Sequence, residues 1–364
     1  MARRGESVDL VATDADGLKR LSAPTDRWIS QDGYRVRYFR RLGRFEFKFS
    51  PSLLGWLWRH VEEYDVVHVT SSFNFPVLAC GLACRLRGVP YVVAPQGMLE
   101  PWALGYKSGK KTAYLRLLEF PVVLRSARLI QALNSSEAVN LTRLRLGPRV
   151  AIVPNGIDEA DTMTSRDPAD IASFLDRFPA ARDRTVILFL HRVDPKKGLD
   201  VLAKAYSQVH PRYPHTHLIV AGPPTGEFEQ IARGYFEAAD VAGAVTFTGI
   251  IEGALKRGAL AAANAFVAPT YSEGFSMAVL EAMAAGLPCV LTEGCNFPEA
   301  AAAGAALVTP TGDPVAFAAA LETILADADA ARAMGTRARQ LVLDHYTWDR
   351  VAARLLDQLG GTPP

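Results

Sequence analysis

The chain has 364 residues, of which 49% are hydrophobic and 21% charged, a composition typical of a globular protein with two domains. It contains no run of about 18 or more apolar residues, which argues against a membrane-spanning helix. The first residues, MARRGESVDLV, lack the apolar core of a secretory signal, so we expect a cytoplasmic protein.

The four cysteines fit a reducing compartment. Cys80 and Cys84 are four residues apart in an apolar helical pattern, whereas Cys289 and Cys295 flank the end of a strand and its loop. A zinc site would require closer pairs and histidine partners. We therefore expect core residues, with no metal and no disulfide.

Charge is distributed unevenly along the chain. Residues 1–150 hold 23 lysine and arginine against 13 aspartate and glutamate residues, a net charge of +10, whereas the remainder holds 17 against 25, a net charge of −8. A basic half indicates that this half faces an anionic surface or acceptor, although a solvated basic surface explains the same composition.

Short apolar strands alternate with helices in the first half. The predicted strands are 8–13, 34–39, 64–70, 89–94, 128–133 and 150–153, and the predicted helices include 51–60 and 74–87. The residues before position 8, ARRG, are typical of the end of a helix. This β–α–β alternation predicts a parallel sheet.

Two basic segments of the first half require a choice of partner. Residues 105–128 combine an apolar stripe with Lys107, Lys110, Lys111 and Arg116. That pattern fits an amphipathic helix on the anionic inner face of a membrane, and equally an ordinary helix of a domain. Residues 20–50 are rich in arginine and aromatic side chains, but no nucleic-acid recognition fold surrounds them, so we predict no nucleic-acid partner.

The second half continues the alternation. Its predicted strands are 186–190, 217–221, 245–248, 265–269, 289–292 and 306–308, followed by helices from Pro314 onward. The first of these strands leads into Arg192 and Lys197, on a loop before a helix that starts near Gly198. Two cations at the carboxyl end of a strand indicate a phosphate site, and a solvated loop is the alternative.

Two glutamates, Glu273 and Glu281, lie in the segment PTYSEGFSMAVLEAMAAGLPCV. A helix is predicted over about residues 275–285, after a turn that Gly274 permits. Within a helix, residues eight apart are roughly 12 Å apart, whereas the acid and nucleophile of a retaining glycosidase are about 5 Å apart. The pair is therefore too widely spaced for that chemistry.

The spacing instead suits one extended ligand that is held at two places. A phosphate between the two glutamates would face the backbone amides of Gly274, Phe275 and Ser276 at the start of the helix. The alternative is structural, with Glu273 capping the helix and Glu281 a solvated or buried acid.

The string SEGFSMAVLEAMAAGLPCV resembles the E-x7-E signature of retaining glycosyltransferases of family 4. These enzymes have the GT-B fold, an α/β architecture of two Rossmann-like doubly wound domains that face each other across a cleft. The resemblance implies that Glu273 and the amides after it hold the donor sugar. It implies that Glu281 holds the ribose of the nucleotide.

Other parts of the second half carry the same resemblance. The segment HRVDPKKG resembles the family's G-R-x4-K-G loop, whose arginine and lysine hold the diphosphate. Arg192 and Lys197 occupy those positions, and His191 stands where glycine is common. The remaining residues that the resemblance assigns to donor binding are Gly222, Pro223, Ile250 and Ile251, of which the last two are expected at the nucleobase.

The first half resembles the family less specifically. The segment PQGMLEPWAL resembles the P-(H/R)-G-M-L-x-P-W segment of members that build bacterial polysaccharides. It implies a place for Gln96 and Gly97 on the acceptor side of the cleft, where glutamine can bind a sugar hydroxyl but carries no charge. The resemblance starts at the end of the family's first helix, so the first strand and its glycine-rich loop are expected to be absent from this sequence. Either the true start lies upstream or the protein lacks that part of the site.

The resemblance implies a retaining transfer of a hexose from a UDP- or GDP-sugar. The acceptor would be a glycan or a polyprenol-linked glycan in cell-surface polysaccharide synthesis. The expected catalytic residues are Glu273, Arg192 and Lys197, and no metal or cofactor is expected. The main alternative is a non-catalytic sugar-nucleotide-binding protein of the same fold. A sugar-nucleotide epimerase is a weaker one, and a nicotinamide dehydrogenase is disfavoured because no G-x-G-x-x-G follows a strand.

The predicted domain boundaries follow from this alternation. We expect a first domain over residues 1–155, a linker rich in Asp, Pro and Ala over 156–183, and a nucleotide-sugar-binding domain over 184–340. Residues 341–364, which include Trp348, are expected to form a helix that crosses back to the first domain.

Overall fold

The structure is a computed structural model that describes residues 1–17, 19–43, 47–100, 104, 109, 113–158 and 167–360. The chain divides into two compact units: unit 1 is Met1–Pro154 with Ala352–Pro364, and unit 2 is Asn155–Val351. Both units contain a parallel sheet with helices, which confirms the predicted α/β class. Lys107, Lys110 and Lys111 lie outside the described residues.

Unit 1 contains nine strands and three helices of at least nine residues among its described residues before position 155. The strands are β1 (Asp9–Thr13), β2 (Ala15–Asp16), β3 (Lys19–Arg20), β4 (Trp28–Gln31), β5 (Tyr34–Phe39), β6 (Val67–Thr70), β7 (Tyr91–Ala94), β8 (Leu129–Ala132) and β9 (Arg149–Ile152). The helices are α1 (Pro51–His60), α2 (Phe75–Arg87) and α3 (Ser135–Arg143).

The helices of unit 1 begin where capping residues satisfy their first amides. Ser50 accepts a hydrogen bond from the amide of Leu53 at 3.4 Å before α1. Asn74 accepts one from the amide of Val77 at 3.2 Å before α2, which ends at Gly88 in the left-handed conformation with φ 72°. These are the usual start and stop signals of a helix, which explains why the sequence predicted both elements.

The strands of unit 1 are distributed over two separate sheets and a hairpin. One sheet has the order β1-β5-β4 and the other the order β6-β7-β8-β9, while β2 and β3 form a hairpin. Within the described residues β1 pairs only with β5, and β6 only with β7. Phe39 of β5 and Val69 of β6 nevertheless belong to the same hydrophobic core.

The antiparallel strand β4 was not predicted, because its residues lie in the arginine- and aromatic-rich stretch. Arg35 and Arg37 lie over the ring of Trp28. Their guanidinium carbons are 4.7 Å and 5.8 Å, respectively, from the ring centroid. Arg35 also forms a bidentate pair with Asp9 at 2.8 Å and 2.5 Å. The interleaved aromatic and basic residues therefore serve cation–π packing between β4 and β5.

The described residues of unit 2 contain one parallel sheet of six strands. The strands are β10 (Thr185–Leu190), β11 (Thr216–Ala221), β12 (Val245–Gly249), β13 (Ala265–Ala268), β14 (Cys289–Thr292) and β15 (Ala306–Thr309). Their spatial order is β12-β11-β10-β13-β14-β15. Strands β10, β11 and β12 follow one another toward one edge of the sheet, and β13, β14 and β15 follow one another from β10 toward the other edge. This is the doubly wound arrangement that the sequence predicted.

The helices of unit 2 lie between these strands and after them. They are α4 (Pro168–Arg177), α5 (Leu199–Val209), α6 (Phe228–Ala238), α7 (Gly253–Ala262), α8 (Met277–Ala284), α9 (Pro298–Ala302), α10 (Pro314–Ala326) and α11 (Ala328–His345). None of the described helices is both long enough and apolar enough to cross a bilayer. The four cysteines are free thiols.

The last helix, α12 (Trp348–Gly360), begins in unit 2, and its residues from Ala352 belong to unit 1. The side chains of Arg128 and Arg149 donate to the carbonyls of Leu359 and Gln358 at 2.6 Å and 2.9 Å. Residues 341–345, which we assigned to this crossover helix, are instead the end of α11.

The segment predicted as a linker, 156–183, contains helix α4 of unit 2. Arg257 of α7 donates two hydrogen bonds to Asp170 of α4, at 2.6 Å and 3.0 Å. A side chain on Gly258 would place its first carbon 2.1 Å from the carbonyl oxygen of Asp170. The described part of this segment therefore contains a helix that packs on α7. Its composition, rich in Asp, Pro and Ala, had led us to predict a linker instead.

The close approach of α4 and α7 leads to a stability prediction. We expect Gly258→Ala to lower the free energy of unfolding by about 1–3 kcal/mol, because an added methyl must push the two helices apart. Gly234→Ala in α6 is the matched control, since nothing lies within 4 Å of the added carbon. The control should be neutral or stabilising by up to about 1 kcal/mol. Urea unfolding of both variants measures this, and equal stability of Gly258→Ala and wild type would contradict it.

Candidate functional site

The predicted donor residues of unit 2 lie at the carboxyl ends of four neighbouring strands. Arg192 and Lys197 follow β10, Gly222 follows β11, Ile250 follows β12 and Glu273 follows β13. The order of the strands reverses between β10 and β13. Open α/β sheets bind their ligands at such a reversal, so the cationic loop and the first glutamate occupy its two sides.

Backbone contacts join the loop after β10 to the end of β13. The carbonyl oxygen of Lys196 accepts from the amide of Tyr271 at 2.7 Å and from the hydroxyl of Thr270 at 2.9 Å. Gly198 has φ 68°, and a side chain there would place a carbon 2.0 Å from the carbonyl oxygen of Pro269. Glycine at position 198 is therefore a requirement of this packing.

An ion pair crosses the reversal point of the sheet. Lys197 Nζ contacts Glu273 Oε1, and the two side chains are only 8% and 16% exposed. His191 Nδ1 lies 3.9 Å from the same carboxylate oxygen. Arg192, by contrast, is exposed, and its guanidinium has no hydrogen bond or ion pair with another residue in the described part of the chain. One cation is thus committed to a carboxylate and the other is open to a ligand.

Burial shapes the protonation of this cluster. Burial, and then the charge of Arg192, lowers the pKa of Lys197 to about 8. Burial together with Lys197 holds the pKa of His191 well below its usual range, so its ring is neutral. An anion bound at the loop would favour the charged form of Lys197 because opposite charges stabilise each other.

The turn that carries Glu273 is held by the loop after β14. The amide of Glu273 donates to the carbonyl of Gly294 at 2.8 Å, and the side-chain amide of Asn296 donates to the carbonyl of Glu273. Asn296 itself adopts the left-handed conformation with φ 52°. The backbone of Glu273 is therefore positioned from a neighbouring strand as well as by its own turn.

Helix α8 starts at Met277, two residues later than predicted. Ser276 is its cap and accepts from the amide of Val279 at 3.3 Å. The ring of Phe275 packs near Phe297, with 6.0 Å between ring centroids. Gly274, Phe275 and Ser276 thus precede the helix, and the 12 Å helical estimate for the two glutamates does not apply because Glu273 lies outside α8.

Glu281 lies on α8 and pairs with a lysine that we did not predict. Its Oε1 accepts from Lys256 Nζ at 2.7 Å, and the carboxylate side chain is 28% exposed. Lys256 lies on α7, 25 residues away in sequence. Neither Lys256 nor Asn296 carries a signal of spacing that would have identified it, because each contact comes from the packing of separate loops and helices.

The loops after β11 and β12 contact each other through their backbones. The amide of Gly222 donates to the carbonyl of Gly249 at 2.9 Å, and a side chain at Gly222 would place a carbon 1.9 Å from the carbonyl of His191. Ile250 is 62% exposed and Ile251 only 6%. Of the two residues that we expected at the nucleobase, only Ile250 therefore offers its side chain to a ligand. Pro223 accepts through its carbonyl from the amide of Val193 at 2.9 Å.

Gln96 and Gly97 belong to unit 1 and follow β7. Both have positive φ, 57° and 74°, which is unusual for a glutamine. The amide of Gly97 donates to Glu137 Oε1 at 2.7 Å, and burial raises the pKa of that carboxyl group. The turn is well defined within unit 1, and its acceptor role stays a prediction.

No group of three or more His, Cys, Asp and Glu side chains among the described residues could hold a metal ion.

Two family models match almost all of the chain. Residues 1–161 match the model described as Glycosyltransferase Family 4, and residues 172–341 match that described as Glycosyl transferases group 1. The chain belongs to glycosyltransferase family 4. The resemblance to family 4 glycosyltransferases that the sequence showed is thereby confirmed, and the matches cover both halves of this family 4 chain.

Relatives of this family 4 chain occur in mycobacteria. It is 33% identical over 214 residues to the phosphatidyl-myo-inositol mannosyltransferase of Mycolicibacterium smegmatis, covering 58% of this chain and 52% of the relative. It is 28% identical over 356 residues to the GDP-mannose-dependent alpha-(1-6)-phosphatidylinositol monomannoside mannosyltransferase of the same organism, covering 92% and 86%. The chain thus spans only about half the length of the first relative.

Solved structures share the fold. The sucrose-phosphate synthase of Thermosynechococcus elongatus matches with a TM-score of 0.77 and 22% identity, over 98% of this chain and 90% of that one. Anabaena HepE in complex with UDP and glucose matches with a TM-score of 0.73 and 19% identity, over 89% and 85%. The predicted fold class, two Rossmann-like domains of GT-B type, is therefore confirmed.

The lowered pKa of Lys197 leads to a prediction of pH dependence. Lys197 is charged below about pH 8 and neutral above it, so the affinity for a nucleoside diphosphate should fall as the pH rises through that value. The phosphate groups are already fully ionised there, because their second pKa is about 6. The fall should approach about tenfold per pH unit if the charge of Lys197 is required. Calorimetric titration with UDP and with GDP between pH 7 and 9.5 measures it.

Lys197→Arg is the control for this titration. Arginine stays protonated throughout that range, so the variant should bind with an affinity that changes little with pH. The same decline in Lys197→Arg and wild type would exclude Lys197 as its cause.

Proposed function

We propose that this protein transfers a hexose from a nucleoside diphosphate sugar to an acceptor hydroxyl with retention of the anomeric configuration. The observation that supports this most directly is the arrangement at the reversal of the unit 2 sheet. There an exposed Arg192 without a partner in the described chain stands five residues before Lys197, which is paired with Glu273. A diphosphate at this loop would meet two cations, with a carboxylate beside it for the sugar.

The relatives narrow the expected substrates. One mycobacterial relative is named as GDP-mannose-dependent, and HepE was solved with UDP and glucose. We therefore propose a GDP- or UDP-hexose as donor. The relatives' names include phosphatidylinositol acceptors, which favours a lipid-linked glycan as acceptor and a role in cell-surface polysaccharide or glycolipid synthesis.

The proposed chemistry needs no covalent intermediate with the protein. The bond between the anomeric carbon and the β-phosphate oxygen breaks, and its electron pair stays on that oxygen. Arg192 and Lys197 stabilise the negative charge that develops on the departing diphosphate. The acceptor oxygen bonds to the anomeric carbon on the same face of the sugar, and its proton passes to a β-phosphate oxygen. Glu273 accepts hydrogen bonds from sugar hydroxyls and keeps Lys197 in place.

The two glutamates have separable roles in this proposal. Glu281→Ala should weaken binding of the nucleotide and the complete donor alike, because both contain ribose. Glu273→Ala should weaken binding of the complete donor more than that of the nucleotide, because the donor loses the sugar contact in addition to the partner of Lys197. Arg192→Ala should reduce binding of either ligand by about 1.5–3 kcal/mol, the range for hydrogen bonds to charged groups. Calorimetry with UDP, GDP and their hexose conjugates measures these differences.

Turnover of the same donors tests the reaction itself. We expect wild type to form a glycosylated product with the donor's anomeric configuration, read from the proton coupling of the product sugar, and Glu273→Ala to lose it. Binding of a donor without any turnover on lipid-linked or soluble glycan acceptors would favour a non-catalytic sugar-nucleotide-binding protein. An inverted product would exclude retention.

We further propose that the segment around residues 113–128 of unit 1 contacts an anionic membrane. Leu117 and Leu118 are 74% and 42% exposed next to an exposed Arg116, and Leu86 of α2 is 58% exposed. The guanidinium of Arg85 in α2 donates to the carbonyl of Pro121 at 2.7 Å, so α2 and this segment form one surface. Exposed leucines beside arginine fit the boundary between lipid head groups and acyl chains.

Vesicle binding tests the membrane contact. Wild type should bind vesicles that contain anionic lipid and should be released by salt, since the attraction fades within about 10 Å at 0.1 M salt. Leu117→Ser with Leu118→Ser should weaken binding about tenfold or more, because burial of apolar side chains is lost. Leu10→Ser, at another exposed leucine of unit 1, is the control and should bind like wild type. A vesicle affinity that changes neither with the anionic lipid content nor with these substitutions would contradict the membrane contact and favour a soluble acceptor.

A further inference from the structure

Glu281 offers only one of its carboxylate oxygens to a ligand. Oε1 accepts from Lys256 Nζ at 2.7 Å. Oε2 has no hydrogen-bond partner within the part of the chain that the structure describes, and the side chain is 28% exposed. The carboxylate is thus held at one oxygen and open at the other.

Lys256 is placed to connect two parts of the candidate donor site. It lies on α7, which begins at Gly253, directly after Ile250, Ile251 and Glu252. The amide of Lys256 donates to the carbonyl of Glu252 at 3.5 Å, so this lysine is one helical turn from the loop that carries the exposed Ile250. Its side chain reaches from α7 to α8, where Glu281 lies.

Stability gives little reason for this ion pair. Lys256 and Glu281 are 33% and 28% exposed, and ion pairs at such positions contribute little to the free energy of folding. A free glutamate side chain populates several rotamers, and ordering it on binding costs entropy. A lysine that already holds one oxygen removes part of that cost and offsets the repulsion between a carboxylate and a nearby diphosphate.

We propose that Lys256 is a positioning residue that fixes the Glu281 carboxylate for the 2′- and 3′-hydroxyls of a ribonucleoside diphosphate. The proposal rests on the proposed function, because it takes the nucleotide ribose as the ligand of Glu281. Lys256 holds Oε1, and Oε2 accepts from the ribose diol. Lys256 belongs to the helix that directly follows the Ile250 loop. A shift of that loop on binding the nucleobase would therefore also shift Lys256 and the Glu281 carboxylate that binds the ribose.

This arrangement makes ribose recognition depend on Lys256 in a way that phosphate recognition does not. A ligand that lacks the 2′-hydroxyl makes fewer hydrogen bonds to Glu281. Its affinity should therefore fall less when Lys256 no longer holds Glu281. Inorganic pyrophosphate lacks the ribose entirely and interacts with the Arg192 and Lys197 loop alone. The three ligands therefore separate positioning of Glu281 from a general disturbance of the site.

The test is calorimetric titration of wild type and Lys256→Met with UDP, GDP, their 2′-deoxy counterparts and pyrophosphate. We expect Lys256→Met to lower the affinity for the ribonucleotide about fivefold to tenfold, and that for the 2′-deoxynucleotide by less than about twofold. Pyrophosphate should lose no more affinity than the 2′-deoxynucleotide, because it is affected only by the loss of the Lys256 charge. Lys256→Arg should retain most of the discrimination. Lys204→Met, an exposed lysine of α5, is the matched control and should change nothing.

A double-mutant cycle decides whether the effect passes through Glu281. In a Glu281→Gln background, Lys256→Met should have little further effect, because the group that it positions no longer carries the charge. Equal losses for ribo- and 2′-deoxynucleotides, or an undiminished loss in the Glu281→Gln background, would overturn the proposal while leaving the proposed function intact. If wild type binds neither UDP nor GDP, the proposed function and this inference fail together.

Discussion

The contact between Lys197 and Glu273 is the constraint on which the candidate site depends. It joins the loop after β10 to the turn after β13, at the point where the sheet of unit 2 reverses its strand order. A buried ion pair contributes little net stability, because both charges lose their hydration. The backbone contacts around Lys196 and the absent side chain of Gly198 keep the two loops together, and the ion pair then sets which polar groups face the ligand.

Both glutamates of the site are paired with a lysine from another element. Glu273 contacts Lys197, and Glu281 contacts Lys256. Two uncompensated carboxylates beside a diphosphate would repel it, whereas two paired carboxylates keep free oxygens as acceptors without adding net negative charge. Arg192 remains as the exposed cation, so the site as a whole attracts an anion while still offering acceptors for hydroxyl groups.

The basic character of unit 1 is in part a structural property. Arg41 is almost fully buried, at 2% exposure, and donates to the carbonyls of Gly17 and Lys19 at 3.0 Å and 2.6 Å, which holds the β2–β3 hairpin. Arg35 pairs with Asp9 and lies over Trp28. These arginines make their contacts within unit 1. Fewer basic side chains are therefore available to an anionic partner than the net charge of the first half implies.

The sequence by itself determined the α/β class and the positions of most strands and helices, because these follow from local periodicity and capping residues. Short motifs that resemble those of the family also singled out the cations and glutamates of the candidate site, whose roles stay predictions. Strand β5 and helix α1, for example, were predicted at the bounds that the structure has. Only the tertiary structure decided that α4 packs on α7, that the unit 1 strands form two sheets, and that Lys256 holds Glu281. Each of these depends on residues far apart in sequence, whose meeting is set by how separate elements pack, and no local pattern encodes that packing.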